Sequence, residues 1–206
     1  MERRKHWEKV YRERSPETVG WYQALPAISL RLIEKTGLKK TDPIIDVGGG
    51  ASVLVDHLLD GGFDNLTVLD ISSTALSQAR ARLGERAAAV KWVEGDVIEF
   101  GPTRRHGLWH DRAVFHFLTQ APDREKYVNT LRASLNPNGY VILAAFAPDG
   151  PTKCSGLDVQ RYDDEKLIAE FGEEFALVET MREAHVTPAG VTQQFIYFLL
   201  RRDADA

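Results

Sequence analysis

The stretch "IIDVGGGASVLVDHLLDGG", residues 44–62, decides the fold. A short apolar run ends at Asp46, three glycines occupy positions 48–50, and an amphipathic pattern begins after them. This order predicts a buried strand, a tight glycine turn and a helix. Glycines at such a point let the chain turn sharply and let a ligand approach the backbone closely.

The alternation of apolar strands and amphipathic helices continues outward from this stretch. Further strands are predicted around "TVLD", "KWVE", "LWHD" and "VILAA", with helical patterns between them. Continuous apolar strands alternating with helices indicate an α/β fold, a parallel sheet covered on both faces. Near the end, residues 175–185 and 191–202 form two predicted strands whose connection is too short for a helical crossover. We therefore expect them to pair antiparallel.

Composition narrows the class of protein. The chain has 206 residues, 43% of them hydrophobic, which suits one soluble domain with a sizeable core. The net charge of −4 argues against nucleic acid as a partner, and no apolar run approaches the length of a membrane span. The single cysteine, Cys154, excludes an intramolecular disulfide and suits the cytoplasm. No spacing of His, Cys or carboxylates predicts a metal site.

Four motifs occur in an order typical of one enzyme family. They are "IDVGGGAS", "TVLDIS", "VEGDV" and "LNPNGYVIL". Together they resemble the class I S-adenosylmethionine-dependent methyltransferases. The resemblance implies a three-layer, doubly wound, seven-stranded and mostly parallel sheet with the last strand antiparallel. It also implies one methyltransferase domain over residues 1–206, with residues 1–36 as a helical lid over the cofactor.

The resemblance assigns roles to acidic residues at three consecutive strand ends. Asp46 is expected to accept from the ammonium group of S-adenosylmethionine, and Asp70 from both ribose hydroxyls. Asp96 is expected to accept from the adenine amino group, beside the Val97 N–H. In an open parallel sheet, these ends meet where ligands bind. The full predicted cofactor set is Trp7, Tyr11, Trp21, Tyr22, Asp46, Gly48, Gly49, Gly50, Asp70, Ile71, Asp96, Val97 and Asp111.

Other segments resemble the eukaryotic elongation-factor lysine methyltransferases and related small seven-strand enzymes. These segments include "HWEKVYRE", "WYQALPAISLRLIE" and "HDRAVFHFL". Such enzymes commonly carry D-K-G-T after strand four, where this chain has Asp111, Arg112, Ala113 and Val114. Because that segment shapes the acceptor site, the departure favours a small-molecule acceptor, with a protein lysine as the alternative.

The residues after strand four are candidates for chemistry. Methyl transfer needs a general base only if the acceptor must lose a proton, and the candidates for a catalytic role are His110, Asp111 and His116. A core position for His116 is the alternative. The Pro-, Gly- and Ser-rich loop after strand five is expected to border the acceptor. The predicted substrate residues are Arg112, Cys154, Arg161 and Tyr162, with Ser155 beside them.

Two other classes of function stay open at this point. A dinucleotide-binding oxidoreductase would carry G-x-G-x-x-G, but Val53 occupies the third glycine position. A non-catalytic module that binds S-adenosylmethionine would keep the same motifs and act through a partner. The acidic residues are also compatible with ordinary turns and helix caps. We expect a monomer or a weak homodimer.

Overall fold

A central β-sheet organises residues 2–204, the part of the chain that the computed structural model describes. Met1, Asp205 and Ala206, which belong to the predicted 1–206 domain, lie outside the described residues. The described strands are β1 (Ile44–Val47), β2 (Leu66–Asp70), β3 (Val90–Glu94), β4 (His106–Arg112), β5 (Leu135–Phe146), β6 (Lys153–Cys154), β7 (Leu157–Asp158), β8 (Phe175–Val186) and β9 (Thr192–Arg202).

Six α-helices connect or flank these strands within the described residues. They are α1 (Glu2–Glu13), α2 (Ala27–Lys35), α3 (Leu54–Asp60), α4 (Ser73–Leu83), α5 (Ala121–Ser134) and α6 (Asp164–Phe171). None of the helices within 2–204 is both long and apolar enough to cross a bilayer.

Seven strands form the sheet in the order β3-β2-β1-β4-β5-β9-β8. The first five are parallel, whereas β9 runs antiparallel to both β5 and β8. The predicted seven-stranded sheet with an antiparallel last strand is therefore confirmed. The chain order reverses at β1, which lies between β2 and β4, so the ends of these strands frame the expected ligand crevice.

Alternate strand residues belong to separate hydrophobic cores on the two faces of the sheet. Ile45 lies in a core with α5 and α6, whereas its neighbour Ile44 lies in a core with α2, α3 and α4. The same alternation separates Trp109 from Leu108 on β4. Because successive strand side chains point to opposite faces, burial of both faces explains the continuous apolar runs.

Some predicted boundaries differ from the observed ones. The helix expected from Ala51 begins at Leu54, because residues 48–53 form an extended glycine turn. The segment around His116 forms a single 3₁₀ turn at Phe115–Phe117. This turn follows Ala113, which has a φ of +71° and ends the strand conformation of β4.

Candidate active site

The glycine turn after β1 brings the backbone against two carboxylates. A methyl group at position 49 would lie 2.4 Å from Asp46 Oδ2, and one at position 50 would lie 2.4 Å from Asp70 Oδ2. At position 48 it would lie 2.0 Å from a methyl carbon of Val114, and φ is +65°. Only glycine tolerates both the contact and the left-handed conformation. The turn is therefore a cradle that any side chain would fill.

A cavity, called the main cavity, opens beyond the carboxyl ends of β1, β2, β3 and β4. It encloses about 780 Å³, a volume that includes its open mouth. Eight of the predicted cofactor residues line it: Trp7, Tyr11, Trp21, Gly48, Asp70, Ile71, Asp96 and Val97.

A second cavity of about 590 Å³, called the side cavity, adjoins the main one. The two share Tyr11, Trp21, Gly48 and Arg112 among their lining residues. The predicted residues that line only the side cavity are Tyr22, Asp46, Gly49 and His110. Gly50 lines neither cavity, but it abuts the Asp70 carboxylate. The predicted cofactor-binding and catalytic residues that line a cavity are thus divided between two adjoining cavities.

Asp70 presents a buried carboxylate at the end of β2. Its Oδ1 accepts a 2.8 Å hydrogen bond from the Ser72 N–H, which orients the group. Burial raises the pKa of Asp70 to about 7, and the nearby carboxylates of Asp46 and Glu8 act in the same direction. Because burial penalises the ionised carboxylate, a ligand that donates hydrogen bonds to it would stabilise that charged form.

Asp96 lies at the end of β3 and is tied to α1. One of its oxygens accepts from the Ile98 N–H at 3.2 Å, and the other accepts from Arg3 at 3.3 Å. Arg3 also pairs with Asp123 and lines the main cavity. No sequence motif indicated Arg3, because the charged face of α1 resembles a solvated helix face.

Glu8, which joins α1 to α4, is another residue that no sequence motif indicated. Its carboxylate is buried against the first turn of α4, where it accepts from the Ser73 N–H at 2.6 Å and from the Ser73 and Thr74 hydroxyls. Burial would raise the pKa of Glu8, but these hydrogen bonds outweigh it and lower the pKa. In the sequence, the only indication was the pair of serines, Ser72 and Ser73, at the start of α4.

Arg112 lies between the two cavities. Its Nε donates to the Tyr197 hydroxyl and its Nη1 to the Trp21 carbonyl, both at 2.8 Å. The guanidinium stacks on Phe195, and Nη2 lies 3.7 Å from Glu183. Nη2 is buried and has no hydrogen-bond partner among the described residues. The predicted substrate residue is therefore in the cavity wall.

The structure does not bring Asp111 to either cavity. Its carboxylate points into the core, where it accepts from the Val114 and Phe115 N–H groups and, at 2.5 Å, from the Tyr127 hydroxyl. Burial raises the pKa of Asp111 to about 6. These bonds fix the turn that follows β4.

His116 is also outside both cavities. It is fully buried and packs against the rings of Phe117 and Phe146. Burial, helped by the charge of Arg112, lowers the pKa of His116 to about 3, so the ring is neutral. The structure therefore supports the alternative interpretation of a core histidine.

The loop after β5 contributes one of its predicted residues. Cys154 lines the main cavity, and burial raises the pKa of its thiol to about 11. Arg161 instead donates to the carbonyls of Pro148 and Gly150 and holds the loop together. Tyr162 is fully buried and packs on Phe115. Ser155, with a φ of +49°, forms the tip of the β6–β7 hairpin.

Comparison with known proteins places this geometry in a family. The profile of a methyltransferase domain family matches residues 44–139. EEF1A lysine methyltransferase 2 of Danio rerio is 27% identical over 185 residues, covering 85% of this chain and 72% of the relative. These matches support a class I S-adenosylmethionine-dependent methyltransferase related to the EEF1A lysine methyltransferases.

Solved structures share the fold of this methyltransferase. A methyltransferase from Anabaena variabilis has a TM-score of 0.74 at 16% identity, covering 98% of this chain and 96% of that one. The glycopeptide N-methyltransferase MtfA, complexed with S-adenosyl-L-homocysteine, has a TM-score of 0.68 at 16% identity, covering 88% of this chain and 91% of that one.

The residues of the methyltransferase fit its cofactor, S-adenosylmethionine. The main cavity offers carboxylate acceptors for hydroxyl and amino groups, and aromatic rings that attract a sulfonium ion. Asp46 Oδ2, which is buried and accepts no hydrogen bond from the described residues, suits an ammonium group. Among residues 2–204, no group of three His, Cys, Asp or Glu side chains is arranged to hold a metal ion.

Proposed function

We propose that the methyltransferase acts on a small molecule carrying an anionic group, which Arg112 binds inside the main cavity. The observation that carries this proposal is the buried guanidinium in the cavity wall, whose Nη2 makes no hydrogen bond to residues 2–204 and has Glu183 at 3.7 Å as its ion partner. Guanidinium groups suit carboxylates and phosphates. Their positive charge repels a lysine ammonium, and Glu183 at 3.7 Å reduces that repulsion.

In this proposal, three carboxylates hold the cofactor. Asp70 accepts from the ribose hydroxyls, Asp96 from the adenine amino group, and Asp46 from the ammonium. The N-terminal segment within residues 1–36 covers the bound cofactor, since Trp7, Tyr11 and Trp21 already line the cavity. The chain acts as a single methyltransferase domain, a monomer or weak homodimer, in the cytoplasm, where the Cys154 thiol stays reduced.

Catalysis rests on positioning and desolvation. His110 is hydrogen-bonded on both ring nitrogens, and Asp111 and His116 are buried away from the cavities. We therefore assign no general base to the chain, and the acceptor reacts through an atom that already has a free electron pair. In-line attack on the activated methyl group then depends on holding the two reactants in contact.

A protein lysine is the second candidate acceptor. The similarity to EEF1A lysine methyltransferase 2 over 85% of the chain favours it. The two candidates are separated by incubating the enzyme with methyl-labelled S-adenosylmethionine and cell extract divided into small-molecule and protein fractions. Label in the small-molecule fraction is expected, and label confined to protein would contradict the proposal.

The role of Arg112 is tested with a panel of anionic acceptors and their uncharged amides. Arg112→Gln should lower kcat/KM for the anionic members by about tenfold or more, because it removes the charge-assisted contact. Tyr197→Phe is the matched control, since it removes one support of Arg112 and leaves the charge. An equal loss on amides and anions would contradict recognition of an anion.

A further inference from the structure

Three buried polar groups form a chain of hydrogen bonds beside the side cavity. Asp46 and His110 are register neighbours on β1 and β4, so their side chains share one face of the sheet. His110 Nδ1 lies 2.7 Å from Asp46 Oδ1, and Nε2 lies 2.9 Å from the Ser29 hydroxyl on α2. The exposed fractions are 4% for Asp46, 3% for His110 and 1% for Ser29.

The chemistry of these groups assigns the protons. An ionised Asp46 only accepts hydrogen bonds, so the neutral His110 ring must carry its proton on Nδ1. Nε2 is then an acceptor, and the Ser29 hydroxyl donates to it. Every group in the chain has a partner of the opposite kind, and the ring needs no charge. Asp46 therefore selects the tautomer, and the Ser29 hydroxyl supports it by donating to Nε2.

The second oxygen of Asp46 is held differently. Oδ2 is buried and accepts no hydrogen bond from residues 2–204. It lies beside Gly49, where an added side-chain carbon would be only 2.4 Å away from it, and Asp46 lines the side cavity. A buried carboxylate oxygen without a partner is costly, and a cationic donor offsets that cost. The arrangement thus fixes Oδ1 and leaves Oδ2 without a partner among the described residues.

We propose that His110 and Ser29 are positioning residues that hold Asp46 so that Oδ2 receives the ammonium of the cofactor's amino acid end. His110 acts through Asp46 and contacts neither the acceptor nor the transferred methyl group. Ser29, which no sequence motif indicated, fixes the orientation of the ring. This inference requires only the cofactor and is independent of the acceptor's identity.

The experiment compares two ligands and two substitutions of His110. S-Adenosylhomocysteine contains the amino acid end, whereas methylthioadenosine lacks it. In His110→Asn, the amide nitrogen replaces Nδ1 and can still donate to Asp46. In His110→Gln, the longer amide reaches Ser29 and leaves Asp46 without its donor. Dissociation constants of both ligands are measured by calorimetry for each variant.

His110→Gln should weaken S-adenosylhomocysteine about tenfold or more, the usual effect of losing a hydrogen bond to a charged group. Its affinity for methylthioadenosine should change less than about twofold, and His110→Asn should retain most of the affinity for both ligands. An equal loss for both ligands, or equal effects of Asn and Gln, would overturn the proposal, because a purely structural histidine gives that result.

Two further variants keep the test decisive if a His110 variant fails to fold. Ser29→Ala removes the donor to Nε2 and should weaken only S-adenosylhomocysteine, by about threefold or more. His106→Asn is the matched control, because His106 is also buried on β4 but contacts the Ser134 carbonyl at the opposite end of the strand. An unchanged affinity in Ser29→Ala, or a selective loss in His106→Asn, would contradict the assignment.

Discussion

The Glu8 carboxylate accepts a 2.6 Å hydrogen bond from the N–H of Ser73, the first residue of α4. The contact joins α1 to the helix that follows Asp70. A carboxylate at a helix N-terminus satisfies free N–H groups and interacts favourably with the helix dipole. This buried acid therefore helps to position the aromatic residues that α1 adds to the main cavity.

Glu8→Ala should release α1 from α4. Loss of these hydrogen bonds should lower the free energy of unfolding by about 1–2 kcal/mol and speed dissociation of S-adenosylhomocysteine. Urea unfolding and stopped-flow fluorescence measure the two effects. Glu13→Ala is the control on the same helix, since Glu13 is exposed and pairs with Lys9 only at 4.0 Å. Equal behaviour of the two variants would contradict a role for Glu8 in holding α1.

Asp70→Asn should separate stability from binding. The folded pKa of Asp70, about 7, lies above its ordinary value of 3.8. Its stabilising contribution is therefore full below pH 3.8 and is lost as the pH rises through about 7. The variant does not lose this stability. Its free energy of unfolding without ligand at pH 8 should therefore exceed that of the wild type by at least about 1 kcal/mol.

The same variant should bind S-adenosylhomocysteine about tenfold or more weakly, because the amide cannot accept from two hydroxyls as a carboxylate does. In the wild type, affinity should rise between pH 5.5 and 7.5 as Asp70 ionises, and the variant should lose that dependence. Calorimetry across this range checks both. Unchanged affinity would remove Asp70 from the cofactor site.

Gly48→Ala should destabilise the protein through two separable effects. The left-handed φ of +65° costs an alanine about 1 kcal/mol, and the added methyl would lie 2.0 Å from Val114. Gly62→Ala is the matched control, since φ is +82° but nothing lies within 4 Å of the added carbon. Gly48→Ala should cost at least about 1 kcal/mol more than Gly62→Ala.

A second substitution tests whether contact with Val114 causes the steric part of the destabilisation. Val114→Ala, combined with Gly48→Ala, should recover part of the lost free energy of unfolding but not the part due to φ. Urea unfolding of the single and double variants measures the coupling between the two sites. Strict additivity would show that Val114 is not the obstacle.

His116→Phe should leave turnover within about twofold, because a ring buried outside both cavities does not meet the acceptor. Its pKa is depressed to about 3 from 6.5, so its contribution to stability is present above pH 6.5 and is lost as the pH falls toward 3. The variant should therefore lose less stability than the wild type between pH 7 and 4.5. A large fall in turnover with intact folding would restore His116 as a catalytic candidate.

Local sequence patterns predicted the sheet well, because each pattern depends only on residues that are close together in the sequence. The order of the strands, the glycine turn and the acidic residues near the ends of β1, β2 and β3 all follow from short local runs of sequence. The face on which a side chain lies is harder to predict. His110 and Asp111 are adjacent, yet one faces the side cavity and the other the core, because strand side chains alternate.

Sequence reasoning failed where a contact joins distant parts of the chain. Glu8 is 65 residues from Ser73, and Ser29 is 81 residues from His110. A charged residue in a basic helix and a serine in an amphipathic one carry no local sign of such partners. Arg112 likewise becomes a cavity residue only because β9 and the Trp21 carbonyl hold it there.

The sequence by itself determined the order of elements, the parallel sheet with its antiparallel end, and the carboxylates at the strand ends. Hydrophobic period and backbone chemistry act within a few residues and leave their pattern in the chain. Only the tertiary structure decided which polar groups meet, which are buried without partners, and which face a cavity. Those properties arise from packing between elements that are distant in sequence. They also depend on exact strand register, because neighbouring residues of a strand point to opposite faces of the sheet.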